Sequence, residues 1–254
     1  MEIAGKVAVV VGGASGMARA SAELLARRGA AVAICDRDAS AGNEVARAIG
    51  GTTSFHELDV TAFDAVESVL AEVVARHGRL DVAVNTAGGA IAERTISRSG
   101  PHSLASFRRI VDLNLIGTFN LNRLQALHMS KNEPEDGERG VIVNTSSIAA
   151  FEGQIGQVAY AAAKAGIAAM SLTMARDLGS VGIRVLAIAP SLFSTGSTAA
   201  IPDELAERLT RDAAFPKRMG RPDEYAKLVA AIVENPMLNG STLRLDGGQR
   251  FAPK

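Results

Sequence analysis

The chain is poor in cysteine. Cys35 is the only one among 254 residues, so no intrachain disulfide is available, and its place in an apolar segment gives it the part of a small hydrophobe. The chain also lacks an excess of charge of either sign, with 27 Lys plus Arg against 27 Asp plus Glu and no basic stripe. An electrostatic footprint for nucleic acid is therefore missing, and no nucleic-acid partner is expected. His56, His77, His102 and His128 stand at no ligand spacing from one another, from Cys35 or from paired carboxylates; no metal site is expected. No Pro/Ser-rich linker, charge block or internal repeat divides the sequence. Length alone also permits two small domains, but the even texture predicts a single domain over 1–254. No apolar run of 18 residues is apparent, and the first strand begins within six residues of the start. These two features predict a cytoplasmic protein with neither a membrane partner nor a signal peptide.

What is present is a strong alternation of strands and helices. The run Val7-Ala8-Val9-Val10-Val11 breaks into Gly12-Gly13-Ala14-Ser15-Gly16 and then into a helix from Ser15 to about Arg28, patterned by Met17, Ala20, Leu24 and Leu25. A buried strand, a tight turn and a helix N-terminus form a cradle for a pyrophosphate, because glycine permits close backbone approach and the helix dipole favours the charge. The next strand runs Ala31–Cys35 and ends at Asp36. An acid there accepts hydrogen bonds from both ribose hydroxyls of an adenosine and repels a 2′-phosphate, which favours NAD over NADP; the alternative for Asp36 is a helix cap. Arg37 follows, within reach of a phosphate.

Further strands are predicted at Thr53–Glu57, Asp81–Asn85, Gly140–Thr145, Ile183–Ala189 and Ser241–Leu245. Helices are predicted at Ala62–His77, Ser103–Ser130, Val158–Leu178, Asp203–Asp212 and Asp223–Val233, and a polar loop carries Gly100-Pro101. Seven short strands with helical crossovers predict an α/β, doubly wound, seven-stranded parallel sheet with helices on both faces, a Rossmann fold. Substrate loops are expected at about 91–103 and 191–216.

Tyr160 and Lys164 stand four residues apart in Tyr160-Ala161-Ala162-Ala163-Lys164, thirteen positions after Ser147. That spacing puts phenol and ammonium on one helix face. A tyrosine with a free pKa of about 10 is a poor base at neutral pH. A cation held within ~4 Å stabilises the phenolate by up to ~4 kcal/mol at an effective dielectric of ~20, roughly three pK units before desolvation opposes it. Alone, the pair also occurs on ordinary Ala-rich helices; the glycine turn gives it weight. Ser146 is expected to point away from Ser147, Tyr225 to pack, and the charges of Glu133–Arg139 to form a solvated loop.

Taken in order, Gly12…Gly16, Asp59-Val60, Asn85-Thr86-Ala87-Gly88, Asn114, Ser147, Tyr160 and Lys164 resemble the short-chain dehydrogenase/reductase family over essentially the whole chain. Longer stretches are similar to its type II 3-hydroxyacyl-CoA dehydrogenase subgroup, which also oxidises hydroxysteroids. Among them are Asn114–Asn120, Asn132-Glu133-Pro134, Ala150–Gln154 and Ile232–Pro236. The resemblance implies Tyr160 as general acid/base, Ser147 orienting the substrate oxygen, Lys164 lowering the Tyr160 pKa and binding the nicotinamide ribose, and Asn114 holding a water that links Lys164 to solvent. It implies Gly12, Ser15, Gly16 and Met17 at the pyrophosphate, Asp36 at the adenosine ribose and Asp59 and Val60 at the adenine. Asn85, Thr86, Ala87 and Gly88 fall beside the cofactor, and Phe193 and Thr195 close over the nicotinamide. It implies NAD as cofactor, an acyl-CoA or steroid as small-molecule substrate, and a homotetramer. The activities implied are 3-hydroxyacyl-CoA dehydrogenase first, then hydroxysteroid dehydrogenase or 3-oxoacyl reductase, and remotely a non-catalytic dinucleotide-binding regulator. Val11, Ala18 and Ser191 depart from the family pattern, where threonine, glycine and glycine are usual.

Overall fold

β1 (Val7–Val11) is apolar at every position because both of its faces are covered. Ala8 and Val10 face one hydrophobic cluster, Val9 and Val11 the other. The computed structural model describes residues 1–196 and 201–253 of the chain. Around β1 lie β2 (Ala31–Asp36), β3 (Ser54–Glu57) and β4 (Val82–Asn85). A two-residue antiparallel ladder follows, β5 (Ile96–Ser97) against β6 (Gly100–Pro101), where a plain loop was expected. The strands β7 (Gly140–Thr145), β8 (Ile183–Pro190) and β9 (Thr242–Leu245) complete the main sheet. Its order is β3-β2-β1-β4-β7-β8-β9, with every neighbour parallel. The order reverses between β1 and β4, the switch point outside which ligands bind in such sheets.

One face is covered by α1 (Gly16–Arg27), α2 (Ala39–Ile49) and α8 (Pro222–Glu234). The other is covered by α3 (Phe63–His77) and α5 (Gly117–Met129), which bury Val66, Leu70, Val73, Leu121, Leu124 and Met129. Each such side chain contributes roughly 1.5–3 kcal/mol by leaving water. The long helix expected over 103–130 is broken in register: α4 (Leu104–Val111) passes through a π-helical turn, Asp112–Ile116, into α5. The cause is local. The Asn114 side chain donates to the Ile110 carbonyl at 2.9 Å and the Thr118 hydroxyl to the Asn114 carbonyl at 2.6 Å, so side chains take acceptors that the backbone ladder would otherwise use.

α6 (Val158–Leu178) has the expected limits. Extended to Val181 it is long and apolar enough, by length and composition, to cross a membrane, with a mean hydropathy of 1.3 over 18 residues; the expectation that no such span exists is corrected. Its apolar character serves the sheet, since Ala159, Ala163 and Ile167 are buried and the helix packs on β8. The Glu133–Arg139 loop is not simply solvated: Glu138 accepts from Arg184 at 2.7 Å, and Glu135 pairs with Lys6. In the 191–216 segment α7 spans Asp203–Thr210, while residues 197–200 of that predicted substrate loop lie outside the described residues.

Candidate active site

The ends of β1, β2 and β4 open into a cleft of about 340 Å³. Gly12 has φ 83° and Gly16 φ 55°, the left-handed region that favours glycine. A Cβ on Gly12 would stand 2.7 Å from the Thr86 hydroxyl, and one on Gly16 3.0 Å from Thr195. The Gly12 and Gly13 amides donate to the Cys35 carbonyl, tying the turn to β2. Ser15 is the extended residue before α1 and makes no side-chain cap, so the first turn of that helix presents its amides to the cleft. Asp36 sits where β2 ends and does two things: it borders the cleft, and it accepts from the Ala14 amide at 3.0 Å and the Asp38 amide at 3.2 Å. The backbone cradle, the helix N-terminus and the acid at the end of β2 fit a dinucleotide.

Gly12, Ser15, Gly16, Met17, Asp36, Val60, Thr86, Ala87, Gly88 and Thr195 line this cleft together, and Arg37 joins them. Besides Tyr160 and Lys164, which lie beyond it, three predicted cofactor residues do not line it. The Asn85 side chain turns into the interior, where its amide donates to Asn122, Gln125 and Asn144 at 2.9–3.1 Å; it braces β4 against α5 and β7. Asp59 turns back on its own loop, accepting from the Thr61 amide and hydroxyl at 2.8 and 2.7 Å, and those bonds hold its carboxyl below the usual range. Phe193 is buried one layer back, edge-on to Tyr225 at 6.5 Å. Leu58 and Leu113 line the cleft without having been singled out; as apolar residues beside predicted strands and helices, they read as core.

Gly88 joins the cleft to the second group of residues. A Cβ there would lie 2.6 Å from Asn114 Oδ1 and 3.4 Å from Lys164 Nζ. Ser147, two residues beyond the end of β7, has its hydroxyl beside the Tyr160 phenol, close enough to lower its pKa, and accepts from the Ala149 amide at 3.1 Å. Lys164 is 3% exposed, stands 5.6 Å from the centre of the Tyr160 ring, and donates to the Thr145 carbonyl at 2.8 Å. Burial pushes its pKa down to about 8. The Tyr160 phenol is pushed up by burial, against the lowering effect of the Ser147 hydroxyl beside it. Burial of the phenol, not the neighbouring Lys164 charge, is the largest influence on it. Asn114 sits where the Gly88-Gly89 loop meets the π-turn. Its side chain donates to the Gly89 and Ile110 carbonyls, both at 2.9 Å, and accepts from the Gly89 amide at 3.2 Å, clamping the Gly88-Gly89 loop to the π-turn.

As expected, Ser146 turns away from the phenol, its hydroxyl donating to the Lys164 carbonyl at 2.8 Å, and Tyr225 is packed in the core. Among the described residues no cluster of three or more His, Cys, Asp or Glu side chains could hold a metal ion.

Residues 6–206 match the family model described as short chain dehydrogenase. The 3-hydroxyacyl-CoA dehydrogenase type-2 of Drosophila melanogaster is 49% identical over 250 residues, covering 97% of this chain and 98% of that protein. The Homo sapiens protein of the same name is 48% identical over 254 residues, covering 99% of this chain and 97% of its own length. The crystal structure of 3-hydroxyacyl-CoA dehydrogenase type-2 from Mycobacterium avium superposes with a TM-score of 0.94 at 40% identity, covering both chains completely.

Proposed function

The chain belongs to the short-chain dehydrogenase family, and from that premise we propose that this oxidoreductase moves a hydride between NAD(H) and a secondary alcohol or ketone, most specifically the 3-hydroxyacyl-CoA/3-oxoacyl-CoA pair. The observation that carries the reading is Lys164 Nζ 5.6 Å from the centre of the Tyr160 ring on one helix, with the Ser147 hydroxyl beside the phenol and Gly88 leading from Lys164 into the dinucleotide cleft. NAD, when bound, would supply the acceptor for the hydride and its two electrons from the carbinol carbon. The polypeptide handles the proton. In oxidation the substrate hydroxyl, held by Ser147, gives its proton to the Tyr160 oxygen; in reduction the Tyr160 hydroxyl gives a proton to the ketone oxygen. A phenol kept neutral by burial is already in the form reduction needs. Oxidation needs the phenolate, which the positive charge of Lys164 favours.

Asp36 at the end of β2 supports NAD over NADP by its charge and its reach toward a ribose, with Arg37 beside it as the counterweight. The acyl-CoA assignment is supported by the full-length likeness to relatives bearing that name. A homotetramer is supported by a face of α6 that leaves Val158, Ala162, Ala169 and Leu172 exposed, beside exposed Ile116 at the end of the π-turn and Phe119 in α5. Small and apolar side chains on one face allow another helix to approach closely and suit solvent poorly.

Acetoacetyl-CoA with NADH, and a short 3-hydroxyacyl-CoA with NAD, form the test, run beside hydroxysteroids and with NADPH in parallel. NADH consumption with acetoacetyl-CoA is the expected result. Turnover of a steroid or simple secondary alcohol without any of acetoacetyl-CoA removes the acyl-CoA assignment and leaves the Ser–Tyr–Lys chemistry standing. Light scattering at micromolar concentration tests the tetramer, and a monomer mass refutes it.

A further inference from the structure

The chain has two tyrosines. One is Tyr160; the other, Tyr225, is completely buried in α8. Its hydroxyl lies 2.7 Å from the Thr145 hydroxyl, which lies 2.8 Å from the Asn85 carbonyl. A carbonyl only accepts, so the single Thr145 proton goes to Asn85 and the Tyr225 hydroxyl must be the donor to Thr145. The direction of this bond is thus fixed, and burial raises the Tyr225 pKa and keeps the phenol neutral.

Residue 145 is also where Lys164 is anchored. The ammonium donates to the Thr145 carbonyl at 2.8 Å. The next residue, Ser146, donates its hydroxyl to the Lys164 carbonyl at 2.8 Å and its amide to the Ile188 carbonyl at 2.8 Å. Both ends of Lys164 are therefore set by the last turn of chain in β7, and Tyr225 holds that segment from α8. The same ring supports the cofactor side. Phe193 packs edge-on against Tyr225 at 88° and fills the space where a Gly220 Cβ would stand, 2.6 Å from the ring. Two residues beyond Phe193, Thr195 borders the cleft.

We propose that Tyr225 is a positioning residue for the hydride-transfer site: its hydroxyl sets the carbonyl that anchors Lys164, and its ring sets the Phe193 segment that brings Thr195 to the dinucleotide. The proposal rests on the Ser147–Tyr160–Lys164 reading given above. Phenylalanine at 225 would fill the same volume, so the hydroxyl and the ring separate experimentally.

The test measures kcat, KM, the pH profile of kcat and Tm for the full chain with acetoacetyl-CoA and NADH, together with NADH binding by fluorescence. Tyr225→Phe is expected to lower kcat about fivefold, the order of one lost hydrogen bond, with NADH binding unchanged. It is also expected to move the alkaline limb of kcat to lower pH, because a less firmly held ammonium loses its proton more readily. Thr145→Val should reproduce both effects, Thr145→Ser should keep wild-type behaviour, and the Thr145→Val/Tyr225→Phe double variant should cost no more than Thr145→Val alone. Tyr225→Leu, which removes the ring as well, should additionally weaken NADH binding. A Tyr225→Phe protein with wild-type kcat and pH limb overturns the proposal even if its Tm falls, as does strict additivity with Thr145→Val. Tyr160→Phe is the control: if it keeps its kcat, the catalytic reading and this inference fall together. If it is inactive while Tyr225→Phe is normal, only this inference falls.

Discussion

Replacing Lys164 with methionine measures how far the site works against the stability of the fold. The ammonium is 3% exposed and donates to one carbonyl, that of Thr145, at 2.8 Å. Burial takes its pKa from 10.5 down to about 8. The folded-state pKa therefore lies below the unfolded one, and the unfolded chain holds the proton more tightly. Folding is penalised in full below pH 8, and the penalty fades as pH rises from about 8 to about 10.5. At about 1.4 kcal/mol for each tenfold change in proton affinity, the full penalty is about 3 kcal/mol. Methionine fills a similar space without charge, but leaves the Thr145 carbonyl short of a donor, a loss of about 1 kcal/mol. Lys164→Met should therefore unfold with about 2 kcal/mol more stability at pH 7. At pH 10 less than about 1 kcal/mol of the penalty remains and the two proteins should be about equal. Urea unfolding at both pH values, with m-values matched, reads this directly. The variant should have lost turnover throughout. A Lys164→Met protein less stable than wild type at pH 7, or one whose advantage is the same at both pH values, would refute the reasoning.

Tyr160→Phe should lower kcat by about 10²–10⁴-fold, the usual size of a general acid/base contribution, while NADH binding stays nearly intact; a kcat above about a tenth of wild type takes Tyr160 out of the mechanism. Asp36→Ala should raise the KM for NAD and narrow the bias against NADP, measured as steady-state constants for both cofactors; an unchanged ratio makes Asp36 a brace for the Ala14 turn only. Gly88→Ala would place a methyl 2.6 Å from Asn114 Oδ1, whereas Gly89→Ala meets only the Leu113 side chain at 3.4 Å. The first should lose at least about tenfold in kcat and the second little; equal losses would mean that the loop, rather than the close fit of Gly88 against Asn114 and Lys164, is what matters.

Much of this was legible in the sequence for a physical reason. Strands buried on both faces are continuous apolar runs, as in β1, and the helices between them repeat at 3.6 residues, so the seven-stranded sheet and the limits of β7 and α6 follow from pattern. The glycine turn is legible because positive φ at Gly12 and Gly16 restricts the residue type. The π-turn at Asp112–Ile116 was not legible: it arises from side-chain bonds of Asn114 and Thr118 that leave the apolar period intact. Asn85 was misplaced because a strand-end amide facing the cleft and one facing α5 read identically. The direction of the Tyr160 shift was missed because sequence spacing reports which charges are near, whereas desolvation depends on what encloses the phenol.

The three departures from the family pattern show how such a site tolerates change. Val11 lacks the hydroxyl that would brace the glycine turn, yet the turn is braced: the Thr86 amide and hydroxyl both donate to the Val11 carbonyl, at 3.0 and 2.9 Å. The brace comes from β4 instead of from β1. Ala18 is 1% exposed within the cluster between α1 and the sheet, so its methyl is accommodated where helix meets strand. The Ser191 amide donates to the Leu245 carbonyl, and β9 holds the chain at that point through a backbone bond that does not depend on side-chain identity. In each case a neighbouring element provides the restraint. Parallel strands deliver their C-terminal ends to one edge, so a brace missing from one strand can be supplied by the next without moving the cleft. That redundancy does not extend to Ser147, Tyr160 and Lys164, whose proposed functions are tied to one hydroxyl, one phenol and one ammonium.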